Sequence, residues 1–388
     1  MINSVSLQYI DSYDLSAIEE ALKKSIDNLK VATLFKPKMR VMLKVNLSKG
    51  VSPDKAQTTH PNVVRALVNV LGELGVECIV ADCPFGTYST SKLDAVYYGT
   101  GMLEVANLTK CKLNHNLKTK LFEVEDGIKC KNATLLSLID GVDAIVNVGK
   151  LKFDDRFGYL GAVTNMFGLV PGKLKNVVLN RLDTVHDFNE YCVDIMSKVK
   201  NKLILNVVDG IVALESGKSE RLVSCLGVSE NAFCLDSALL SIFGADLKNT
   251  VVELGIKHKY LNKEWLFDLT DEKLEKFKIE DFNFGAVDTT TSLHKNKLMQ
   301  KVQFACLQHK VKVAKHDCKG CGVCSKICPT GAISMKYDRH GELYAQIDYS
   351  KCVFCNKCAT ACPYKVVDYV TPFAYKRIKA ELDKNNLT

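Results

Sequence analysis

The sequence lacks the features that mark an exported or membrane-inserted chain. No uninterrupted apolar run approaches the roughly 18 residues that a membrane-spanning helix requires. The first residues, MINSVSLQYIDSYD, contain neither the basic segment nor the apolar segment of a signal peptide, which argues against export. Proline is scarce, at 8 of 388 residues, and no low-complexity tract occurs. We therefore expect a globular cytoplasmic protein without a membrane span.

Two standard nucleotide-binding motifs are also missing. The sequence contains neither G-x-G-x-x-G nor G-x-x-x-x-G-K-[ST], so neither a standard dinucleotide site nor a P-loop is expected. The chain is long, however, and rich in hydrophobic residues. Its 388 residues, of which 47% are hydrophobic, are enough for two or three domains with sizeable cores.

The 16 cysteines carry the strongest pattern in the sequence. Without export a disulfide framework is not expected, and metal binding gains weight. Residues 318–328 and 352–362 each follow C-x2-C-x2-C-x3-C and are followed by proline. This is the bacterial two-cluster ferredoxin run, in which the fourth cysteine ligates the other cluster. The predicted ligands are Cys318, Cys321, Cys324 and Cys362 for one 4Fe-4S cluster, and Cys352, Cys355, Cys358 and Cys328 for the second.

Structural zinc is the alternative to iron–sulfur clusters at these cysteines. Zinc takes four ligands, commonly from two separated C-x2-C pairs, and two intact runs of four cysteines fit that pattern poorly. A further alternative accepts the clusters but gives them only a structural role. Two adjacent clusters favour electron transfer instead, because one cluster would be enough to stabilise a small fold.

The net charge of +8 raises the question of a nucleic-acid partner. This count treats every cysteine as neutral, whereas thiolates bound to iron are charged. Two oxidised clusters, each about −2 with its thiolates, would lower the total to roughly +4. The lysines are also spread along the chain rather than clustered, so nucleic acid is not an expected partner.

The first 310 residues alternate short apolar strands with longer helical patterns, which predicts an α/β fold: a mostly parallel sheet covered by helices on both faces. Strands are predicted at 4–10, 39–47, 76–82, 143–149 and 202–209, with helices at 14–29 and 61–75 and helical stretches before the last two strands. The predicted domains are an α/β domain at 1–310, a small α+β bacterial ferredoxin-like domain at 311–370, and a C-terminal helix or tail at 371–388.

Polar residues follow these predicted strands at their carboxyl ends, where open α/β sheets bind ligands. Asparagine, histidine, lysine and aspartate gathered at one edge predict a polar crevice able to hold an anionic or metal-bound ligand. The candidate residues are Lys44, Asn46, Thr59, His60, Asp82, Lys150, Asn165 and Asp209.

Structural roles are open for several of these residues. Thr59 also fits a helix N-cap, and His60 a surface loop residue. Lys150 and Lys152 also fit a role in keeping a strand end soluble. Cys83 fits either a redox thiol or a small buried hydrophobic residue.

Several of these stretches resemble a known family. KVNL at 44–47, THPNVVRALV at 59–68 and NVGKLK at 147–152 resemble the iron–sulfur proteins of the domain of unknown function 362. GAVTNMFGLVPG at 161–172 and NVVDGIVALE at 206–215 do so too, and the resemblance covers roughly residues 40–245. That domain is often fused to a two-cluster ferredoxin module. The family implies a redox setting but does not supply a reaction.

The sequence departs from the family pattern at several positions. Where the family tends to have Lys-Thr-His after the third strand, this chain has Lys152, Phe153 and Asp154. Where the family tends to have lysine before the asparagine of the glycine-rich segment, Thr164 stands. If the missing histidine and lysine are catalytic in relatives, this member binds something else or lacks the activity.

The favoured interpretation is an iron–sulfur electron-transfer protein of an anaerobic or strongly reducing setting. The sequence favours an oxidoreductase but does not establish that the protein is an enzyme. Its two 4Fe-4S clusters would pass single electrons to or from a small-molecule ligand of the α/β domain or a redox partner protein. A second interpretation is a non-catalytic electron-carrier subunit that docks within a larger redox complex. A third is a cluster-based sensor that binds nucleic acid. The sequence identifies no catalytic residue.

Overall fold

The computed structural model describes residues 3–284 and 310–370 except for a few positions, which are residues 87, 218, 249, 265, 329, 330, 350, 351 and 353–356. The chain falls into two compact units. The front unit lies within residues 1–120, 126–129 and 135–293, and the cysteine unit lies within residues 121–125, 130–134 and 294–388. The helix predicted at 371–388 lies outside the described residues.

Helices and strands alternate through the first 284 residues. In chain order they are β1 (Ser4–Tyr9), α1 (Leu15–Asn28), β2 (Arg40–Val45), α2 (Pro61–Glu73), β3 (Glu77–Ala81), α3 (Thr90–Gly99), α4 (Met102–Leu108), β4 (Lys112–Leu113), β5 (Thr119–Glu123), β6 (Asn132–Leu136), β7 (Ala144–Asp154), β8 (Gly158–Leu160), α5 (Ala162–Asn165), α6 (Gly172–Leu179), α7 (Val185–Val199), β9 (Leu203–Leu214), β10 (Glu220–Ser229), α8 (Ala232–Ile242), α9 (Val251–Lys257) and β11 (Asp268–Leu269). Short 3-10 helices lie at Ala32–Leu34, Pro53–Lys55, Ser137–Ile139, Met166–Leu169 and Leu274–Phe277.

A nine-stranded sheet organises the front unit. Its strand order is β11-β1-β10-β9-β7-β2-β3-β4, and β8 pairs with β7 beside this path. Strands β9, β7, β2, β3 and β4 run parallel to one another, whereas β10 is antiparallel to both β9 and β1. The predicted α/β fold with a mostly parallel sheet is therefore confirmed.

Helices cover both faces of this sheet. On one face, alternate residues of the strands, such as Leu43 of β2 and Val146 of β7, share a buried core with side chains of α1 to α4. On the other face, Gly227 of β10 leaves room for α8. A Cβ atom at Gly227 would lie 2.7 Å from the Leu235 side chain, so the absence of a side chain lets the helix approach.

The segment before β7 differs from its prediction. A helical stretch was expected there, and α3 and α4 are present, but β4, β5, β6 and a 3-10 helix lie between them and β7. Strand β5 pairs with β6 in a separate two-stranded sheet. The turn residues Asp126 and Gly127 lie between these two strands, and such residues between short apolar runs favour a hairpin over a helix.

The cysteine unit has a small α+β arrangement. Its elements within the described residues 310–370 are β12 (Lys310–Val313), α10 (Val323–Ile327), β13 (Ile333–Tyr337), β14 (Leu343–Ile347), α11 (Lys357–Thr360) and β15 (Val367–Val370). Strand β12 pairs with β15 and β13 with β14, both antiparallel. The predicted ferredoxin-like domain is thus present. Across the described parts of the chain, no helix has the length and apolar character needed to cross a membrane.

Candidate functional site

A row of polar side chains crosses the sheet of the front unit on the face away from α1 to α4. Lys44 of β2, Asn147 of β7 and Asn206 of β9 stand opposite one another in register, and all three are fully buried. Their neighbours along each strand belong to the α1–α4 core, so alternation turns these three side chains to the other face. Asn147 Nδ2 donates a hydrogen bond of 2.9 Å to Asn206 Oδ1.

Asn165, the last residue of α5, joins this row to the glycine-rich segment. Its Nδ2 donates to the backbone oxygen of Lys44 at 3.0 Å and to Asn147 Oδ1 at 2.8 Å. Its Oδ1 accepts from Asn46 Nδ2 at 3.2 Å and from Lys44 Nζ at 3.3 Å. Because both ends of the amide are engaged, Asn165 acts as a fixed junction.

The first buried ion pair joins Lys44 and Asp82. Lys44 Nζ lies 3.0 Å from Asp82 Oδ1, and both side chains are buried. Asp82 Oδ2 accepts from the Leu47 backbone N–H at 2.6 Å. Gly168 packs directly on the pair, since a Cβ there would overlap both Asp82 Oδ1 and Lys44 Nζ. The glycine-rich segment therefore closes over this charge pair.

The second buried ion pair joins Lys150 of β7 and Asp209 of β9, which are register partners. Lys150 Nζ lies 2.9 Å from Asp209 Oδ2, and neither side chain is exposed. Tyr13 Oη donates to Asp209 Oδ1 at 2.9 Å and accepts from Lys150 Nζ at 2.8 Å. Burial lowers the pKa of Lys150, which Asp209 opposes. Burial and then Asp209 raise the pKa of Tyr13.

His60 caps α2 at this second pair. Its Nδ1 accepts from the Asn62 backbone N–H at 3.1 Å, and its own backbone N–H donates to Asp209 Oδ2 at 3.0 Å. The imidazole stacks on the Tyr13 ring with 3.6 Å between centroids. Burial lowers the pKa of His60 to about 4, Asp209 opposes this shift and Lys150 adds to it. His60 is thus a neutral, partly buried residue at neutral pH.

Thr59 is not the N-cap of α2, because His60 holds that position. Thr59 Oγ1 accepts from the Asn46 backbone N–H at 3.0 Å and donates to the Val148 backbone oxygen at 2.8 Å. Its hydroxyl group therefore ties the loop after β2 to β7.

The eight predicted crevice residues are brought together by these contacts, but they mostly bond to one another. The prediction that they contact a ligand stays a prediction. Lys152 lies at the border of the group, 8% exposed. Its Nζ donates to Asn46 Oδ1 and to the Gln57 backbone oxygen, both at 3.0 Å. Burial lowers the pKa of Lys152 to about 8, against the opposing effect of Asp154.

A cleft of about 300 Å³ opens beside Lys152. Its lining residues are Ser48, Lys49, Gln57, Phe85, Lys152, Phe153, Asp154, Asp155, Leu214 and Gly217. Phe153 and Asp154, two positions that depart from the family pattern, thus line the cleft. Thr164, another departure, is buried instead, and its Oγ1 accepts from the Gly161 backbone N–H at 2.9 Å.

Some residues of this network were not among the predicted site residues, and Asp236 was known from the sequence only as part of a segment that resembles the family. Asp236 of α8 accepts from Tyr159 Oη at 2.8 Å and from the Ala162 and Val163 backbone N–H groups at 2.7 and 3.0 Å. Burial raises the pKa of Asp236 to about 6, against the effect of these hydrogen bonds. Asn147 and Asn206 were missed as well, although a polar residue in the middle of an apolar strand could have revealed both. No local pattern marked Tyr13.

In the cysteine unit, four cysteines from both runs line one cavity: Cys318, Cys321, Cys324 and Cys362. Apolar side chains such as Val313 and Met335 complete its wall. Gly320 and Gly322 have φ values of +61° and +71°, which glycine adopts without strain. A Cβ at Gly320 would lie 2.6 Å from the Leu343 backbone oxygen, so the loop is close to its neighbour. Four thiols in an apolar shell suit a 4Fe-4S cluster.

The second predicted set is described in part. Cys358 belongs to the core of the cysteine unit and the partly buried Cys328 packs against it, while the Ala332 backbone N–H donates to Cys328 Sγ at 3.3 Å. The Cys352 backbone N–H donates to the Asp348 oxygen at 3.0 Å, and Cys355 lies outside the described residues. Among the residues with described positions, no three His, Cys, Asp or Glu side chains are grouped as ligands of a single metal ion.

Cys83 of the front unit is a buried residue. It is fully enclosed, and burial raises the pKa of its thiol to about 11. Its backbone N–H donates to the Gly168 oxygen at 3.0 Å, and its backbone oxygen accepts from Lys175 Nζ. The backbone of Cys83 thus makes contacts within the front unit, while its thiol is protonated at neutral pH.

Two family models match the sequence. The one described as "Domain of unknown function (DUF362)" matches residues 41–241, and the one described as "4Fe-4S dicluster domain" matches residues 317–366. These two matches agree with the resemblance and the cysteine pattern found in the sequence.

Similar proteins fall into two groups. A thylakoid-associated protein of Synechocystis is 26% identical over 63% of this chain and 76% of its own length. One component of an ion-translocating oxidoreductase complex of Methanosarcina acetivorans is 39% identical over 18% of this chain and 26% of its own length. One component of the NADH-quinone oxidoreductase of Geobacter metallireducens is 30% identical over 19% of this chain and 59% of its own length. Each of these two redox subunits is therefore matched over less than two thirds of its length.

One solved structure is similar at a distance. The lactate racemase apoprotein of Thermoanaerobacterium thermosaccharolyticum aligns with a TM-score of 0.36 and 14% identity. The alignment covers 58% of this chain and 54% of the racemase.

Proposed function

The chain belongs to the DUF362 family and carries a 4Fe-4S dicluster domain, and from this premise we propose that it passes single electrons between two 4Fe-4S clusters and a ligand or partner protein of the front unit. The 4Fe-4S dicluster domain, together with the similarity to subunits of two oxidoreductase complexes, supports an iron–sulfur electron-transfer role. The observation that carries the finer proposal is the cavity lined by three cysteines of the first run and one of the second.

The proposed ligand sets follow from that cavity. Cys318, Cys321, Cys324 and Cys362 would hold one cluster, and Cys352, Cys355, Cys358 and Cys328 the other. When bound, such clusters accept and release one electron at a time. The chain's own contribution is the apolar shell and backbone N–H groups aimed at sulfur, such as that of Ala332 at Cys328.

Anaerobic purification tests the proposal. We expect about eight irons per chain and a broad visible absorption band that dithionite bleaches. The crossed assignment is tested by electron paramagnetic resonance of the reduced protein. Cys362→Ser should alter the same cluster signal as Cys318→Ser, and Cys328→Ser the same signal as Cys352→Ser. Cys111→Ala, at a buried cysteine of the front unit, should keep both signals.

Two outcomes contradict the proposal. Stoichiometric zinc without a bleachable band would refute the clusters. A Cys362→Ser signal that matches that of Cys352→Ser would refute the crossed ligand sets.

The subunit relatives favour a second candidate function, in which the chain is a non-catalytic electron carrier within a larger complex. Mild anaerobic affinity purification distinguishes the two. A stoichiometric redox partner, with no small molecule bound to the front unit by native mass spectrometry, would favour the carrier. A bound small molecule would favour an oxidoreductase that acts on it.

A further inference from the structure

Three buried lysines lie at one edge of the front sheet, and two of them face aspartates. Lys44 Nζ lies 3.0 Å from Asp82 Oδ1, and Lys150 Nζ lies 2.9 Å from Asp209 Oδ2. For Lys152, none of the described carboxylate oxygens lies within 4.0 Å of Nζ. A buried ammonium group without a counter-charge is unfavourable, so this position suits an anion supplied from outside the chain.

The donors of Lys152 point to the same conclusion. An ammonium group has three N–H donors, and within the described structure the Nζ of Lys152 has two acceptors, Asn46 Oδ1 and the Gln57 backbone oxygen. Asn46 is itself held by Asn165, which fixes its oxygen toward the lysine. Since Lys152 lines the cleft, an acceptor placed there can take the third donor.

The charges around the cleft limit the ligand to a single negative charge. Lys152 is the buried cation of the lining, whereas Lys49 is exposed. Asp154 and Asp155 also line the cleft, so a dianion would meet two carboxylates. Asp155 Oδ1 is fixed by the Gly217 backbone N–H at 2.9 Å. The balance of charges therefore favours a monoanion over a phosphate group.

The remaining walls are apolar. Phe85, Phe153 and Leu214 line the cleft, and the Phe153 ring packs edge-on against Tyr159 and Phe243 with centroids 5.5 and 5.7 Å away. This packing holds the ring in place as a rigid wall. A volume of about 300 Å³ is at the small end of ligand sites, so the body of the ligand is small.

We propose that this cleft binds a small organic monocarboxylate with an apolar body, with its carboxylate on the Lys152 ammonium group and its body between Phe85, Phe153 and Leu214. The inference rests on the proposed function, for which it names the chemical class of the front-unit ligand. Asn46 is a positioning residue, since it orients the lysine and lies outside the lining.

Titration calorimetry on the full, anaerobically purified chain tests the inference with benzoate, the neutral analogue benzamide, and inorganic phosphate. At pH 7 we expect benzoate to bind at least about tenfold more tightly than benzamide or phosphate. Lys152→Met should abolish the preference for benzoate over benzamide. Lys23→Met, at an exposed lysine outside the lining, should change benzoate affinity by less than about threefold.

The pH dependence of benzoate affinity in the unaltered chain gives a second measurement. This measurement requires no variant, so it does not rely on a variant that folds correctly. The lysine pKa is lowered to about 8, so the amine is charged at pH 7. Benzoate affinity should fall as the pH rises above about 8, by up to tenfold per pH unit, because the amine loses its proton. Benzamide affinity should stay constant over the same range.

Equal binding of benzoate and benzamide, tighter binding of phosphate, or unchanged discrimination in Lys152→Met would each overturn the inference. The outcome is separate from that of the cluster proposal. Intact, bleachable clusters without benzoate binding up to about 10 mM would overturn only the ligand class. Benzoate binding to a chain that holds zinc would overturn only the clusters.

Discussion

The front unit and the cysteine unit differ in the size of their described hydrophobic cores. The described core between the front sheet and α1 to α4 contains 36 buried side chains, whereas the described core of the cysteine unit contains six, of which Cys324 and Cys358 are two. Six side chains supply little hydrophobic stabilisation. Within the described residues, the apolar packing of the front unit is therefore much larger, and we expect the cysteine unit to be stabilised mainly by what its cysteines bind.

The cysteines themselves differ between the units. Those described in the front unit are buried and serve as small apolar residues, and burial raises the thiol pKa of Cys78 and Cys225, for example. In the cysteine unit, Cys321 is exposed and Cys318 is partly exposed. Spacing, rather than the number of cysteines or their access to solvent, thus separates the predicted cluster ligands from the packing cysteines, since two of the predicted ligands, Cys324 and Cys358, are buried as well.

The largest difference between the two units is expected after iron is removed. After anaerobic chelation, amides of residues 310–370 should lose protection from hydrogen exchange by about 100-fold or more, because their core includes two of the predicted cluster ligands, Cys324 and Cys358. Amides of β2, β3 and α2 should keep their protection. Hydrogen exchange with mass spectrometry checks both regions in one sample. Unchanged protection at 310–370 would show that the cysteine unit is stable without iron.

A smaller effect is expected when one buried ion pair of the front unit is broken. This change tests whether the stability of the front unit depends on its buried ion pairs. Asp209→Asn should destabilise the front unit by about 3–5 kcal/mol, because Lys150 is left as an unmatched buried charge. Urea unfolding followed by exchange of front-unit peptides measures it. Lys23→Met, which removes an exposed pair with Glu73, is the matched control and should leave the midpoint of urea unfolding almost unchanged. Equal costs would contradict a role for the buried pair.

The smallest effect concerns the glycine over the first ion pair. Gly168→Ala should destabilise the front unit by about 1–3 kcal/mol, since its Cβ would overlap Asp82 and Lys44. Gly72→Ala in α2 is the control, because nothing lies within 4 Å of its Cβ position. That change should stabilise by about 0.5–1 kcal/mol through helix propensity. Stabilisation by both changes would mean that the segment does not close on the pair.

The features that the sequence predicted are those with a local signal. Strand β2 and helix α2 were found from apolar runs and periodicity, and the cysteine spacing gave the ferredoxin domain. The antiparallel strand β10 was not predicted, because its pairing depends on residues far away in the chain, such as Val5 opposite Ser229. Sequence spacing alone carries no information about such register.

For the candidate site, the sequence indicated which residues would lie together but not what they would contact. Parallel strands bring their carboxyl ends to one edge of the sheet, and Lys44 and Asp209 form ion pairs there with other residues of the predicted group. The sequence could not show which of these polar residues would form hydrogen bonds and ion pairs with one another. That depends on Tyr13 and Asp236, which reach the site from other elements. Lys152 was noted only as a strand-end residue, whereas it lines the cleft.

The cap of α2 also decides the tautomer of His60. Its Nδ1 accepts the Asn62 backbone N–H, so the single ring hydrogen of the neutral imidazole is on Nε2. In this state His60 offers a donor rather than a lone pair at Nε2. It can neither coordinate a metal ion nor take a proton there unless the cap of α2 is given up. The sequence analysis placed His60 in a ligand crevice. In the structure, its Nδ1 atom instead accepts the hydrogen bond that caps α2.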